Sequence, residues 1–203
     1  MSGRGGRERV LAAANSLFAT KGITATTMED IAARAPVSKR TLYAHFPAKE
    51  DLVLAHLDHV VQAGYSVLAV LTREDLTPRE RVLAMFDVQP WPDGSVRGCP
   101  FIHAAVEQPD PDGRVHSFAR EQKLAMLTMV TSLISEMGVD PAEPLAEQLV
   151  TLADGAASRA MVLNDPEYGR HARAAAEILI EQARSPASPA PGEPGEGDDR
   201  RAR

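Results

Sequence analysis

The chain contains 203 residues, of which 44% are hydrophobic, 25% are charged and only 4% are aromatic. These proportions are those of an ordinary globular protein, and the many alanines favour helices. The net charge of −6 argues against a general polyanion-binding protein, and the single cysteine, Cys99, excludes an internal disulfide bond and a cysteine-cluster metal site.

Charge is unevenly distributed along the sequence. Residues 1–51 carry eight basic and five acidic side chains, whereas the rest of the chain carries fourteen basic and twenty-three acidic ones. A basic end on an acidic body suits a protein that touches nucleic acid with one end only. The N-terminus has no apolar run typical of a signal peptide, and the most apolar stretch, residues 124–134, is shorter than the roughly 20 residues that cross a bilayer. We therefore expect a cytoplasmic protein without membrane contact.

The first part of the chain predicts a flexible arm followed by short helices. Residues 1–6 are rich in glycine and predict the arm. Apolar residues at three- and four-residue spacing predict a first helix over residues 7–20. A second helix is capped by Thr26 or Thr27 and ends before Pro36, which cannot continue it.

The third helix presents a concentrated set of polar side chains. Leu42 and Phe46 are directed inward, and the other faces carry Ser38, which caps the helix, with Lys39, Arg40, Thr41, Tyr43 and His45. Phosphates accept hydrogen bonds from such groups, and Arg or Lys reaches guanine edges in the major groove. The spacing alone is equally that of an ordinary helical corner. The chemistry of these side chains favours a corner that reads DNA.

A long helix over about residues 48–72 is predicted to connect this head to a helical body. Further helices are predicted over residues 77–88, 99–107, 114–137, 141–163 and 167–184. Residues 185–203 are rich in proline, glycine and serine and predict a disordered tail. No strand pattern is present, so we expect an all-α fold of about nine helices. The head then covers residues 7–50 and the body residues 51–184.

The head also carries a dense set of residues in a known arrangement, namely Phe18, Gly22, Thr26, Thr27, Ile31, Ala32, Val37, Ser38, Thr41, Leu42, Tyr43, His45, Phe46 and Lys49. This arrangement resembles the N-terminal domain of the TetR family of transcriptional repressors over about residues 7–54. The resemblance implies a homodimer whose two helix-turn-helix heads bind double-stranded DNA at a palindromic operator. It also implies a helical C-terminal domain that binds a small molecule and dimerises.

The resemblance implies roles for single residues. Residues 38–44 would form the recognition helix, and the side chains nearest the bases would be Ser38, Lys39, Arg40 and Thr41. The positions that usually contact phosphates are matched by Thr27, Tyr43, His45 and Lys49. One position departs, because the family usually has glycine in the turn where this chain has Pro36. Since proline holds φ near about −65°, we expect the turn to follow a slightly different path.

Two C-terminal helices carry stripes of apolar and small residues that would permit close helix–helix contact. The stripes are Leu145, Leu149, Leu152, Ala156 and Ala160 on one helix, and Ala172, Ala176 and Leu179 on the other. The resemblance favours a four-helix dimer interface across a two-fold axis. The alternative is that both stripes face the core of the monomer.

The predicted ligand site is a central set of residues, namely Met85, Phe86, Trp91, Phe101, His103, Met126, Met129 and Val130. Ligand sites are mostly apolar with a few polar groups, and methionine adapts to varied shapes. We therefore expect a small apolar or amphipathic ligand. The alternative is that these residues are plain core.

Other functions are weighed against a ligand-released repressor. Cys99 starts a helix, a position that suits a thiol sensor, although a lone cysteine is usually a small buried hydrophobe. His56 and His59 have no third metal ligand nearby, which favours an exposed pair, and no cofactor is expected. No nucleotide-binding loop, nucleophile–base pair or metalloprotease motif is present, so we do not expect an enzyme. A helical adaptor with altered DNA binding remains the other alternative.

Overall fold

The computed structural model describes residues 4–90 and 94–184, and these ranges contain ten α-helices and no strand. The helices are α1 (Arg4–Lys21), α2 (Met28–Arg34), α3 (Lys39–His45), α4 (Lys49–Gln62), α5 (Leu68–Leu71), α6 (Pro78–Ala84), α7 (Pro100–Glu107), α8 (Arg114–Glu136), α9 (Glu143–Leu163) and α10 (Glu167–Arg184). The all-α prediction is confirmed. The predicted tail and Trp91 lie outside the described residues. No described helix has the length and apolar character needed to cross a membrane.

α1 begins at Arg4, so the last residues of the predicted arm are helical. Gly6 is buried, and a Cβ atom at this position would lie 3.5 Å from Thr41 Cγ2 on α3. The glycine therefore allows α1 and α3 to approach closely. The prediction of a flexible arm is wrong for residues 4–6, because packing against α3 extends the helix.

The long helix predicted over residues 48–72 is divided into α4 and α5. α4 ends at Gln62, and Gly64 follows with φ +74°. The Tyr65 N–H donates to the Val60 carbonyl at 3.0 Å, and the Gly64 N–H donates to the Val61 carbonyl at 3.1 Å. This pair of bonds is a Schellman ending, in which glycine takes the left-handed conformation that stops a helix. The prediction of one continuous helix is wrong for this reason.

The remaining helix boundaries differ from the predicted ones by a few residues. α6 ends at Ala84 instead of residue 88, and α9 begins at Glu143 instead of residue 141. The start of α6 is fixed by a capping box, in which Thr77 Oγ1 accepts from the Glu80 N–H at 3.3 Å and Glu80 accepts from the Thr77 N–H at 2.8 Å.

The helices enclose two hydrophobic cores. The first combines α1 to α4 with α7 and the start of α8, and it includes Ile31, Leu42, Leu52, Leu57, Phe101 and Val115. The second combines α5, α6, the rest of α8, α9 and α10, and it includes Val82, Val130, Leu149, Ala176 and Ile180. Because α7 and α8 share the first core with the head, the head is packed directly onto the body. α8 contributes to both cores and joins them.

Candidate DNA-binding surface

Thr27 fixes the start of α2. Its Oγ1 accepts a hydrogen bond from the Asp30 N–H at 3.1 Å, and the Asp30 carboxylate accepts one from the Thr27 N–H at 3.1 Å. The bonds from Thr27 hold the pKa of Asp30 below its usual range. Thr27 is exposed, so its side chain reaches the surface at the start of α2. Its contact with a phosphate stays a prediction.

The turn between α2 and α3 passes through an exposed proline. Ala35 is buried, and its N–H donates to the Ile31 carbonyl at 2.9 Å, which fixes the end of α2. Pro36 has φ +23°, in the region that favours glycine, whereas its ring prefers about −65°. The expectation that Pro36 holds φ near −65° is wrong, and the different path of the turn stays a prediction. Ala35 on one side of Pro36 is buried in the first core, and Val37 on the other side packs against that core.

α3 is anchored at both ends, as the sequence predicts. Ser38 Oγ accepts from the Thr41 N–H at 3.1 Å and caps the helix. Leu42 and Phe46 are buried in the first core. This fixes the remaining faces outward: Ser38, Lys39, Arg40 and Tyr43 are exposed, and Thr41 and His45 are half-buried. The structure therefore brings the polar residues of the predicted recognition helix together on one outward surface.

Lys39 has an acidic partner that the sequence did not reveal. Its ammonium lies 3.0 Å from the Glu29 carboxylate of α2. This hydrogen bond lowers the pKa of Glu29 and raises the pKa of Lys39. Both side chains are largely exposed, so the pair contributes little to stability. Glu29 precedes Lys39 by ten residues, and only the path of the turn brings the two together.

Lys49 lies at the start of α4, half-buried, and donates to the Thr24 carbonyl at 3.1 Å. Its partial burial lowers the pKa of the ammonium. Thr24 is also bonded from the body, since its N–H donates to the Glu107 carboxylate at 2.7 Å. Hydrogen bonds from Lys49 of α4 and to Glu107 of α7 therefore both hold the turn between α1 and α2. Thr24 and Glu107 are separated by 83 residues, so spacing along the sequence gives no signal for this contact.

The predicted ligand residues do not form one cluster. Phe101 belongs to the first core, whereas Met85, Phe86, Met126 and Val130 are buried in the second, with Met129 packed beside it. A Cβ atom at Gly98 would lie 3.2 Å from His103 Nε2 and 3.3 Å from Met161 Sδ of α9. Trp91 lies outside the described residues. The described residues of the predicted site are thus divided between two cores, and a ligand site formed by them stays a prediction.

Most of the predicted dimer residues are buried inside one protomer. The buried ones are Leu145, Leu149, Ala156, Ala160, Ala172 and Ala176. They serve the packing of α9 against α10 and α8, which favours the alternative that these stripes face the core of the monomer. A dimer interface formed by these residues stays a prediction. Leu152 and Leu179 are partly exposed and line an open apolar groove with Glu147, Gln148, Thr151, Ala175 and Ile178.

The two predicted histidines occupy different environments. His59 is exposed, but His56 is half-buried in the first core region, so the expectation of an exposed pair is wrong. His56 Nδ1 lies 2.8 Å from Asn15 Oδ1, and its ring stands edge-on to Phe18 with centroids 5.4 Å apart. Burial lowers the pKa of His56 to about 4. Cys99 caps α7 and is half-buried, and the described residues contain no group of side chains that would hold a metal ion.

Comparison with known proteins places this surface in context. Residues 10–56 match the model of the bacterial regulatory proteins of the tetR family. The crystal structure of SCO4454, a TetR-family transcriptional regulator from Streptomyces coelicolor, is 30% identical and superposes with a TM-score of 0.78. That similarity covers 89% of this chain and 97% of the other.

Two curated proteins extend the comparison. The HTH-type transcriptional regulator YjdC of Escherichia coli (strain K12) is 28% identical over 183 residues, which cover 88% of this chain and 95% of YjdC. The HTH-type transcriptional activator FasR of Mycolicibacterium smegmatis is 39% identical over 85 residues, which cover 40% of this chain and 39% of FasR. The likeness to SCO4454 and to YjdC extends over both the head and the body.

Proposed function

This chain belongs to the TetR family of bacterial regulatory proteins and is a helix-turn-helix transcriptional regulator, and we propose that it represses transcription as a homodimer released from its operator by a small molecule. The observation that carries the proposal is the outward surface of α3, which is capped by Ser38, anchored by Leu42 and Phe46, and lined with donors. A rigid helix with one polar face is what major-groove reading requires.

The recognition surface divides into base-reading and backbone-contacting groups. At the start of α3, Lys39 and Arg40 are exposed, and the resemblance assigns this end to the bases. Thr27, Tyr43, His45 and Lys49 then contact phosphates, which fix the orientation of the helix without carrying sequence information. When the protein binds DNA, the Lys39 ammonium leaves the Glu29 carboxylate and contacts the DNA instead. Chromosomal DNA as the partner places the protein in the cytoplasm, and no catalytic activity is part of the proposal.

The apolar groove on α9 and α10 supports the homodimer. Ile178 is 59% exposed there, although it is large and apolar. Gly155 lies on the exposed side of α9 with no atom within 4 Å of its Cβ position, so the protomer does not need glycine at this point. A glycine inside a helix costs about 0.5–1 kcal/mol relative to alanine. The close approach of a second copy across a two-fold axis would explain why glycine occupies position 155.

In the described part of the chain, α7 and α8 are each hydrogen-bonded to the head, and we propose that both contacts transmit the ligand signal. Glu107 at the end of α7 accepts from the Thr24 N–H. Arg114 at the start of α8 pairs with Asp51 at 2.8 Å and with Glu50 at 3.2 Å, both on α4. A shift of α7 and α8 therefore moves the head as a unit. Because two heads must fit successive major grooves roughly 34–36 Å apart, a small change in their separation lowers operator affinity.

The ligand of this proposal is a small apolar or amphipathic molecule that binds beside α8 and α9. The second core offers Met126, Met129 and Val130 as an apolar lining. Polar groups are present on the same helices, since Lys123 of α8 forms a partly buried ion pair with Asp154 of α9. Sites of this kind are mostly apolar, with a few polar groups that orient the ligand.

Repression requires only that the protein bind the promoter, whereas activation requires a second interaction. A dimer bound across a promoter blocks polymerase by occupying the DNA, whereas activation requires a further surface that recruits polymerase. The likeness to FasR, an activator, is confined to 85 residues. We therefore propose repression, with activation as the alternative that the following experiment decides.

The test is a footprint of the purified protein on the DNA upstream of its own gene, followed by transcription in vitro from the same fragment. We expect two protected half-sites related by a dyad, and less transcript as protein is added. More transcript with the same footprint would replace repression by activation. A sequence-independent footprint would favour the helical adaptor with altered DNA binding.

A further inference from the structure

We infer that Arg7, in the first turns of α1, is an additional DNA-backbone contact that extends the interface beyond the helix-turn-helix. The inference rests on the proposed function, because it requires the outward surface of α3 to face DNA. It adds a residue from a helix that is otherwise structural. Three features of the structure carry it: the position of α1, the contact of the guanidinium with the Phe46 ring, and the lack of an acidic partner among the described residues.

The start of α1 lies directly beside the polar side of α3. A Cβ atom at Gly6 would lie 3.2 Å from His45 Nε2 and 3.5 Å from Thr41 Cγ2. Thr41 and His45 are four residues apart and share one face of the helix. The first turns of α1 therefore lie along the edge of the surface that faces DNA. Glycine at position 6 permits this approach, since a larger side chain would meet the imidazole of His45.

Arg7 is held in place by an aromatic ring. Its guanidinium carbon lies 5.2 Å from the centroid of the Phe46 ring, within the distance of a cation–π interaction. Phe46 is 3% exposed and forms the C-cap of α3, so the ring cannot move away. A cation–π contact engages the charge of the guanidinium without a hydrogen bond to any of its N–H groups. The guanidinium is therefore positioned without being neutralised.

Arg7 differs from Lys39 in its charged neighbours. Within residues 4–90 and 94–184, the structure gives Arg7 no ion pair, whereas Lys39 is paired with Glu29. Arg7 is exposed, and its N–H groups match the two oxygens of a phosphate. The contact falls beside His45, at the end of α3 opposite the residues assigned to the bases. Arg7 thus contributes to affinity and not to sequence preference.

The experiment measures the salt dependence of binding for three arginine variants. A short duplex is first selected from a random-sequence library by the wild-type protein, and affinities for it are then measured by fluorescence anisotropy at several salt concentrations. The variants are Arg7→Ala, Arg7→Lys and the matched control Arg9→Ala. Arg9 is exposed on the same helix, two residues along, and so faces a different direction. Circular dichroism confirms that each variant is folded.

Arg7→Ala is expected to lower affinity on the order of tenfold and to reduce the slope of log K against log salt by about 1.8 for the dimer, one phosphate in each half-site. Arg7→Lys is expected to keep most of the slope and to lose affinity, because an ammonium lacks the planar two-point contact. Arg9→Ala is expected to change the slope by less than half as much. Ethylation interference should lose one phosphate per half-site in Arg7→Ala only.

Equal effects of Arg7→Ala and Arg9→Ala would reduce the role of Arg7 to general charge and overturn the inference. Wild-type affinity in Arg7→Ala would also overturn it while leaving the proposed function intact. If the wild-type protein selects no duplex, the result would contradict the proposed function, and the inference about Arg7 would fail with it.

Discussion

Single residues of α3 have separate tasks. Leu42 and Phe46 fix the helix to the first core, and Ser38 fixes the point where it begins. Lys39 is engaged by Glu29, whereas Arg40 is exposed and forms no ion pair within the described part of the chain. Arg40 is therefore the side chain most available to a base edge. In the proposed complex, a guanidinium at this position bonds guanine through two N–H groups.

Replacing Arg40 with alanine should relax sequence preference at one base pair of each half-site, at a cost of about 1–3 kcal/mol for the preferred base. The physical reason is the loss of a two-point contact that only guanine completes. Repeated selection from random duplexes measures the preference. The matched control is Tyr43→Ala, which we expect to weaken binding evenly across sequences. An unchanged preference in Arg40→Ala would show that Arg40 contacts only the backbone.

His56 makes the stability of the head depend on pH. Its ordinary pKa of 6.5 is lowered to about 4 by burial in the folded protein. Below pH 6.5 the unfolded chain therefore takes up a proton that the folded chain does not. Stability from the neutral imidazole is fully present above the unfolded pKa and is lost progressively as pH falls toward the folded pKa.

We expect His56 to reduce the free energy of unfolding by about 2 kcal/mol between about pH 7 and pH 5. Urea denaturation at the two pH values measures this change. The control is His56→Gln, which does not titrate and retains a donor for Asn15 Oδ1. The difference between wild type and His56→Gln isolates the imidazole from the carboxylates that titrate lower. Parallel pH dependence in the two proteins would be inconsistent with a buried neutral His56.

At the scale of helices, the turn before α3 combines a positive φ with a residue that resists it. Pro36 has φ +23°, and its ring is exposed and is not part of the first core. Glycine adopts this region without steric cost. The added freedom of glycine in the unfolded chain opposes the gain by about 0.8–2 kcal/mol, because the change removes both the ring and the Cβ atom.

Pro36→Gly should raise the thermal midpoint of unfolding. The ring makes a positive φ costlier for proline than the roughly 1–3 kcal/mol of an ordinary residue, so the relief of strain exceeds the entropic loss. Calorimetry of wild type and variant measures the midpoint. Pro47→Gly is the control, since Pro47 is an exposed proline outside this turn and has no positive φ. It should lower the midpoint slightly. A lower midpoint in Pro36→Gly as well would mean that the turn does not strain Pro36.

The helices that the sequence predicts correctly are those with local signals at their ends. Ser38, Thr27 and the Thr77 capping box each mark a start that depends only on nearby residues. The break after Gln62 was missed because Gly64 falls in an apolar helical stripe. A glycine inside such a pattern is compatible with a continuous helix and with a Schellman ending. Only its φ, set by the packing of the following segment, separates the two.

At the scale of the whole molecule, the two hydrophobic cores separate residues that the sequence predicts to lie together. A stripe of small residues predicts close packing, but it does not say whether the neighbour belongs to the same chain. Leu149, Ala156 and Ala160 of α9 are buried within the protomer. The groove beside Ile178 is lined by a different face of α9, which carries Gln148, Thr151 and Leu152. The predicted ligand set is divided for the same reason. Composition identifies apolar residues, and tertiary packing decides which core receives them.

Ile178→Glu should convert the dimer to a monomer without unfolding it. Ile178 is 59% exposed in one protomer, so the carboxylate is tolerated there but would be buried against a second copy. Sedimentation velocity measures the oligomeric state. Val106→Glu is the control, because Val106 is 72% exposed on α7, away from α9 and α10. A dimer that survives Ile178→Glu would place the interface elsewhere.

The central claim is that the outward surface of α3 reads DNA sequence. The most direct measurement compares the affinity of the wild-type dimer for a duplex that it selects with its affinity for a duplex of the same composition whose half-sites are scrambled, in the same salt. Specific recognition predicts a ratio of about 10³ or more. Equal affinities for the two duplexes would contradict the claim, because backbone contacts alone do not distinguish sequences.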